Sequence, residues 1–110
     1  MNFTADELQQ ELERLDATMS RVVARAGHGS DPVLDRLLST HVRVLRLMLD
    51  ADGGSAAEDA ADAARRAMES ADPAAPLLML TMAREALTAK LRREALRASV
   101  LLRASGLHAA

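Results

Sequence analysis

Leu8, Leu12, Leu15, Met19, Val22 and Ala26 follow one another at steps of four and three. That is the heptad spacing of a helix with one apolar seam. Thr4 and Glu7 have the spacing of a capping box, and Phe3 and Leu8 stand at the two positions of a hydrophobic staple. Together they predict a first helix over residues 4–26, with Gly27 just past its end.

Asp31 followed by Pro32 is a helix start, the carboxylate capping and the proline occupying the first turn. The next run is dense in apolar residues and carries two adjacent stripes, 34-38-41-45-48 and 33-37-44-47. A face that wide predicts a second helix, 32–51, touching two neighbours and more buried than the others. Asp50-Ala51-Asp52-Gly53-Gly54 reads as a turn, and Ser55 with Glu58 as a second capping box. The third helix, 56–71, is alanine along one side and charged along the other. Alanine buries little area per residue but lets a neighbour approach closely, so this helix is expected to pack tightly yet loosen first.

Pro76 suits a first turn far better than a helix interior. From there Leu80, Ala83, Leu87, Leu91, Ala95, Ala98 and Leu102 keep helical spacing to a stop expected at Gly106 and Leu107, with the last three residues frayed. This fourth helix, 76–105, is the longest at roughly 45 Å. The pattern as a whole predicts an all-α fold: one domain over 1–110, a four-helix antiparallel up-down bundle with a long C-terminal helix. If the helices align at one end, Arg93 to Ser105 extends about 15 Å past the rest.

Composition sharpens this picture. Ala and Leu supply 41 of 110 residues, with no Ile, Trp, Tyr or Cys and a single Phe. Strands favour β-branched and aromatic residues, so the balance excludes a sheet core and leaves Leu, Met and Ala to fill the interior. Without cysteine there is no disulfide framework, thiol nucleophile or zinc–thiolate site. The acidic, amphipathic N-terminus lacks the features of a signal peptide, and no apolar run approaches the ~20 residues of a membrane span, so a cytoplasmic location is expected. The net charge of −2 hides alternating blocks: −4 over 1–20, +3 over 21–49, −5 over 50–72 and +4 over 73–110. Such alternation suits antiparallel neighbours of opposite sign.

Candidate chemistry is sparse. Asp50-x-Asp52 starts like a calcium loop, but Ser55 stands where glycine is needed and Ala61 where a bidentate glutamate is needed. Gly27-His28-Gly29 is a fragment of a phosphate loop with no strand before it, and reads as a turn. His41 falls on the seam between Leu38 and Leu45 and is expected to be a hydrogen-bonded core histidine; no Glu-x-x-His pair accompanies it. Asp62 and Arg66 have the spacing of an i,i+4 ion pair. No catalytic set, cofactor loop or metal-ligand spacing stands out, so neither an enzyme nor a cofactor is expected.

What remains is the end of the fourth helix. Leu91, Leu96, Val100, Leu101 and Leu102, with Arg93 and Arg97 at the rim, form a cluster that marks an association surface. The expected function is a non-enzymatic protein–protein interaction module (an adaptor, chaperone-like or regulatory subunit) that self-associates as a homodimer or takes a helical partner. The alternative is a nucleic-acid-associated regulator using Lys90, Arg92, Arg93 and Arg97. Against it stand the net negative charge and the lack of aromatics for base stacking.

Overall fold

The computed structural model describes residues 3–109, with side chains for residues 3–104. Four helices follow in order: α1 (Ala5–Ala24), α2 (Pro32–Met48), α3 (Ala51–Glu69) and α4 (Ala74–Ala109). They form the expected all-α up-down bundle, 59 × 22 × 22 Å, with no strand among the described residues.

The starts of α1 and α2 are those written in the sequence. Thr4 Oγ1 accepts from the Glu7 N–H at 3.1 Å, and Glu7 Oε1 accepts from the Thr4 N–H at 3.4 Å. Asp31 caps α2 by accepting from the Val33 and Leu34 N–H groups. These backbone hydrogen bonds, that of Leu34 first, together with the Arg25 and Arg21 charges hold the Asp31 carboxyl below its ordinary value, against a smaller opposing push from burial.

The α2–α3 junction differs from the expectation. α2 stops at Met48 and α3 begins at Ala51, so only Leu49 and Asp50 connect them. Asp50, not Ser55, is the N-cap, accepting from the Gly53 N–H at 2.8 Å. Gly53 and Gly54 therefore lie inside the first turns of α3. Both are buried, and a Cβ on Gly53 would stand 2.5 Å from Leu49 Cβ. The glycines let α3 fold back directly on the end of α2, which is why the turn signal is really a helix start.

α4 starts at Ala74, two residues before Pro76, with Asp72 Oδ1 accepting from the Ala74 N–H. It runs to Ala109, so the stop expected at Gly106 and Leu107 does not end it. Side chains beyond Ala104 and the whole of Ala110 lie outside the described residues.

The core is Leu, Met, Val and Ala, as the composition requires. Its distribution is less expected. α3 packs against all three other helices, whereas α2 makes close contact with α1 and α3 only. α2 buries Leu34, Leu38, His41 and Leu45; its second stripe leaves Val33 and Leu47 exposed. α2 is thus not the most buried element. That place belongs to α3, whose Ala57, Ala60, Ala61, Ala63, Ala64 and Ala67 are buried. Small side chains bring the diagonal partner α1 within reach, closing the centre and leaving α2 and α4 apart.

The α1–α2 loop is tied to the end of α3. Gly27 and Gly29 adopt φ of 79° and 92°, conformations open to glycine at little cost. Their N–H groups donate to the Ala67 and Met68 carbonyls at 3.0 and 2.9 Å. Two of the carbonyls that a helix end leaves unpaired are thereby satisfied.

Candidate functional site: an outward face of α4 and a buried polar relay

Two features stand apart from ordinary bundle packing. The first is α4 itself. Leu80, Leu87 and Leu91 are buried against α1 and α3, and Ala95 and Ala98 continue this side against the core. At 100° per residue, Leu78, Met82, Ala89, Leu96 and Val100 fall roughly 180° away, on the side turned from the core. All five are exposed. Among the described residues of α4, seven large apolar side chains are exposed: Leu78, Met79, Met82, Leu96, Val100, Leu101 and Leu102. A helix apolar on opposite sides is the pattern of one meant to be covered on both.

The expected association residues divide. Leu96 (66% exposed), Val100, Leu101 and Leu102 (72%) are at the surface, as are Arg93 and Arg97, but Leu91 is 1% exposed and belongs to the core. The segment from Arg93 is also not a free-standing overhang. Glu94, Arg97, Ala98, Leu101 and Leu102 lie beside Phe3, Leu8 and Met48, with a cleft of about 410 Å³ between them. α1 runs antiparallel to α4 and covers it to about this level; aligning the helices at one end misplaced the surplus. Leu101 and Leu102 flank that cleft, while Leu96 and Val100 point away from the core.

Charge pairing accounts for part of α4's basic residues. Arg84 reaches Asp16 of α1 at 3.3 Å, and Arg97 pairs with Glu94 on its own helix at 3.4 Å. Among the described residues Glu85, Arg92 and Arg93 have no ion-pair partner. Between α2 and α3, Arg65 donates to Asp35 at 2.6 Å and to Ser39, and Arg46 pairs with Glu58. Asp62 pairs with Arg65 rather than Arg66, because Arg65 faces α2 and carries the carboxylate with it.

The second feature is internal. His41 is buried, as its place between Leu38 and Leu45 implies, with Nδ1 2.8 Å from Glu11 Oε1 and Nε2 2.8 Å from Thr18 Oγ1. Glu11 also lies 3.7 Å from Arg14. Sequence reasoning passed over Glu11 and Thr18. The available signal was their separation of seven residues on the seam side of α1, which puts two polar groups at one heptad position. Hydroxyl, imidazole and carboxylate stand in the order of a nucleophile, base and orienting group. Thr18 is only 5% exposed, however, and the clefts beside Arg46, Arg84 and Phe3 on the described residues are lined by none of the three. In this packing the relay is a hydrogen-bonded tie between α1 and α2.

Other candidate chemistry resolves into structure. The Gly27 and Gly29 N–H groups are committed to α3, and the Asp50 carboxylate to its cap. Among the described residues no group of three or more His, Asp or Glu is placed to hold a metal ion, and no helix is long and apolar enough to cross a membrane. Comparison with protein-family models, curated proteins and solved structures gives no match.

Proposed function

We propose that this protein is a helical protein–protein interaction module that self-associates through the outward face of α4. The observation that carries the reading is the second apolar side of that helix: Leu78, Met82, Leu96 and Val100 are exposed opposite a core-facing side that is itself fully used. Two pairs of exposed apolar residues on one helix face, Leu78 with Met82 and Leu96 with Val100, with the small Ala89 between them, mark an association site. The arginines beside it supply the polar rim that such interfaces carry. Adaptor, chaperone-like and regulatory subunits are the roles such a module serves.

The test is absolute mass in solution by light scattering with refractive-index detection, because a chain without Trp or Tyr hardly absorbs at 280 nm. A mass rising with concentration from 11.8 kDa toward twice that value is expected. Leu96→Glu with Val100→Glu should return the protein to monomer with its helix content unchanged by circular dichroism. Association undiminished by that double substitution would remove α4's outward face from the reading.

A further inference from the structure

The outward strip of α4 has an internal symmetry about Ala89. Leu78 and Val100 lie eleven residues to either side of it, and Met82 and Leu96 seven. A helix that meets a second copy of itself head to tail across Ala89 therefore sets Leu78 and Met82 of one chain against Val100 and Leu96 of the other. Facing residues exchange under a two-fold axis, as an isologous interface requires.

The charges select the same arrangement. Glu85 precedes Ala89 by four residues and Arg92 follows it by three, and both fall on the same edge of the strip, about 20° apart in rotation at 100° per residue. Antiparallel pairing keeps each edge facing its own copy, so Glu85 lies beside Arg92 of the partner, twice over. Both groups lack an ion-pair partner among the described residues of their own chain. Parallel pairing would instead set each edge against the opposite edge of the partner, so Glu85 and Arg92 would not meet. Ala89 at the crossing presents only a methyl group, so the two backbones can approach to the short end of the ~8–10 Å range for helix pairs.

Resting on the self-association reading above, we infer that the partner of α4 is α4 of a second copy of this chain, antiparallel and related by a two-fold axis at Ala89. The contact from Leu78 to Val100 is about 33 Å long. One helix pair of that length lies near the lower end, ~1,000 Å² in total, for specific association, so the dimer is reversible rather than permanent.

Single cysteines test the geometry, since the chain has none of its own. Under mild oxidation, Ala89→Cys should form a disulfide-linked dimer in high yield, because the two copies of this position face each other. Leu78→Cys should not, because its two copies lie at opposite ends of the interface. Glu85→Arg should weaken association at least tenfold, and Glu85→Arg combined with Arg92→Glu should recover most of the loss. Circular dichroism of each variant verifies that the bundle is folded. A dimer that crosslinks through Leu78→Cys, or fails to crosslink through Ala89→Cys, overturns the antiparallel two-fold while leaving self-association standing. A monomer at every concentration tested overturns both.

Discussion

His41 Nδ1 and Glu11 Oε1 stand 2.8 Å apart in the interior of the bundle, thirty residues apart in the chain. Thr18 completes the tie on the other ring nitrogen. Both hydrogen bonds survive a change of protonation. A neutral ring donates from Nδ1 to Glu11 and accepts the Thr18 hydroxyl at Nε2; a protonated ring donates from both nitrogens. The relay is therefore satisfied in each state, and among the described residues no buried side-chain polar atom lacks a partner.

Removing one member should be costly and removing all three should not. His41→Leu removes the 2.8 Å partner of the buried Glu11 carboxylate and leaves it Arg14 at 3.7 Å, and a loss of about 2 kcal/mol is expected. The triple variant Glu11→Leu, Thr18→Val, His41→Leu should fall within ~1 kcal/mol of the parent or exceed it, as apolar replacements of buried polar groups commonly do. Urea denaturation followed at 222 nm checks both. A His41→Leu protein as stable as the parent would mean that the relay contributes nothing to the fold.

Gly53 and Gly54 are neighbours in the same helical turn, yet alanine should act oppositely at the two. A Cβ on Gly53 meets Leu49 Cβ at 2.5 Å, next to the backbone, so the α2–α3 junction must open. A Cβ on Gly54 meets only Arg46 Cγ at 3.3 Å, on a flexible side chain. Gly54→Ala should therefore gain up to ~1 kcal/mol of helix propensity, and Gly53→Ala should lose more than that gain. Thermal melts of the two variants side by side decide it.

These junctions also mark where the sequence was readable and where it was not. The caps at Thr4 and Asp31, the seam of α1 and the four-helix count follow from spacing alone, because they depend on residues within one turn of each other. The start of α3 does not. Gly-Gly signals a turn unless the adjoining helix end needs the space that the absent side chains leave, and that need exists only once α2 and α3 are packed. The small area per residue of the alanine side of α3 predicts weak anchoring; packed, the same smallness lets α3 touch every other helix. On α4, Leu96 and Val100 were legible as exposed apolar residues. Leu91 is in the core instead, because the reach of α1 along α4 is a tertiary fact.

Ala64 lies at the centre of that alanine side and is fully buried. Leucine has nearly the helix propensity of alanine, so any loss in Ala64→Leu reports packing rather than backbone preference. Overfilling should cost about 1–3 kcal/mol. A melting temperature unchanged by the substitution would show that α3 is not held as closely as its burial indicates.

The Asp31 carboxyl titrates below its ordinary value of 3.8. A depressed folded-state value adds stability that is present above the unfolded value and disappears as pH falls through the folded one. Asn at this position keeps an acceptor for the Val33 and Leu34 N–H groups but does not titrate. The stability advantage of the parent over Asp31→Asn should therefore hold at neutral pH and shrink as pH drops below about 4. Denaturation midpoints taken between pH 7 and 2 check the sign; an advantage that grows in acid would reverse it.

The alanines of α3 have a mechanical consequence for the whole bundle. A smooth side has few teeth to engage its neighbours, so the alanines themselves do little to fix where α3 sits along its own length. That position is set at its ends: Gly53 abuts Leu49 at one, and the Gly27 and Gly29 amides grip the Ala67 and Met68 carbonyls at the other. α3 is a shaft between two end stops, and the two short loops, together with the Arg65–Asp35 and Arg46–Glu58 pairs to α2, keep it in axial alignment.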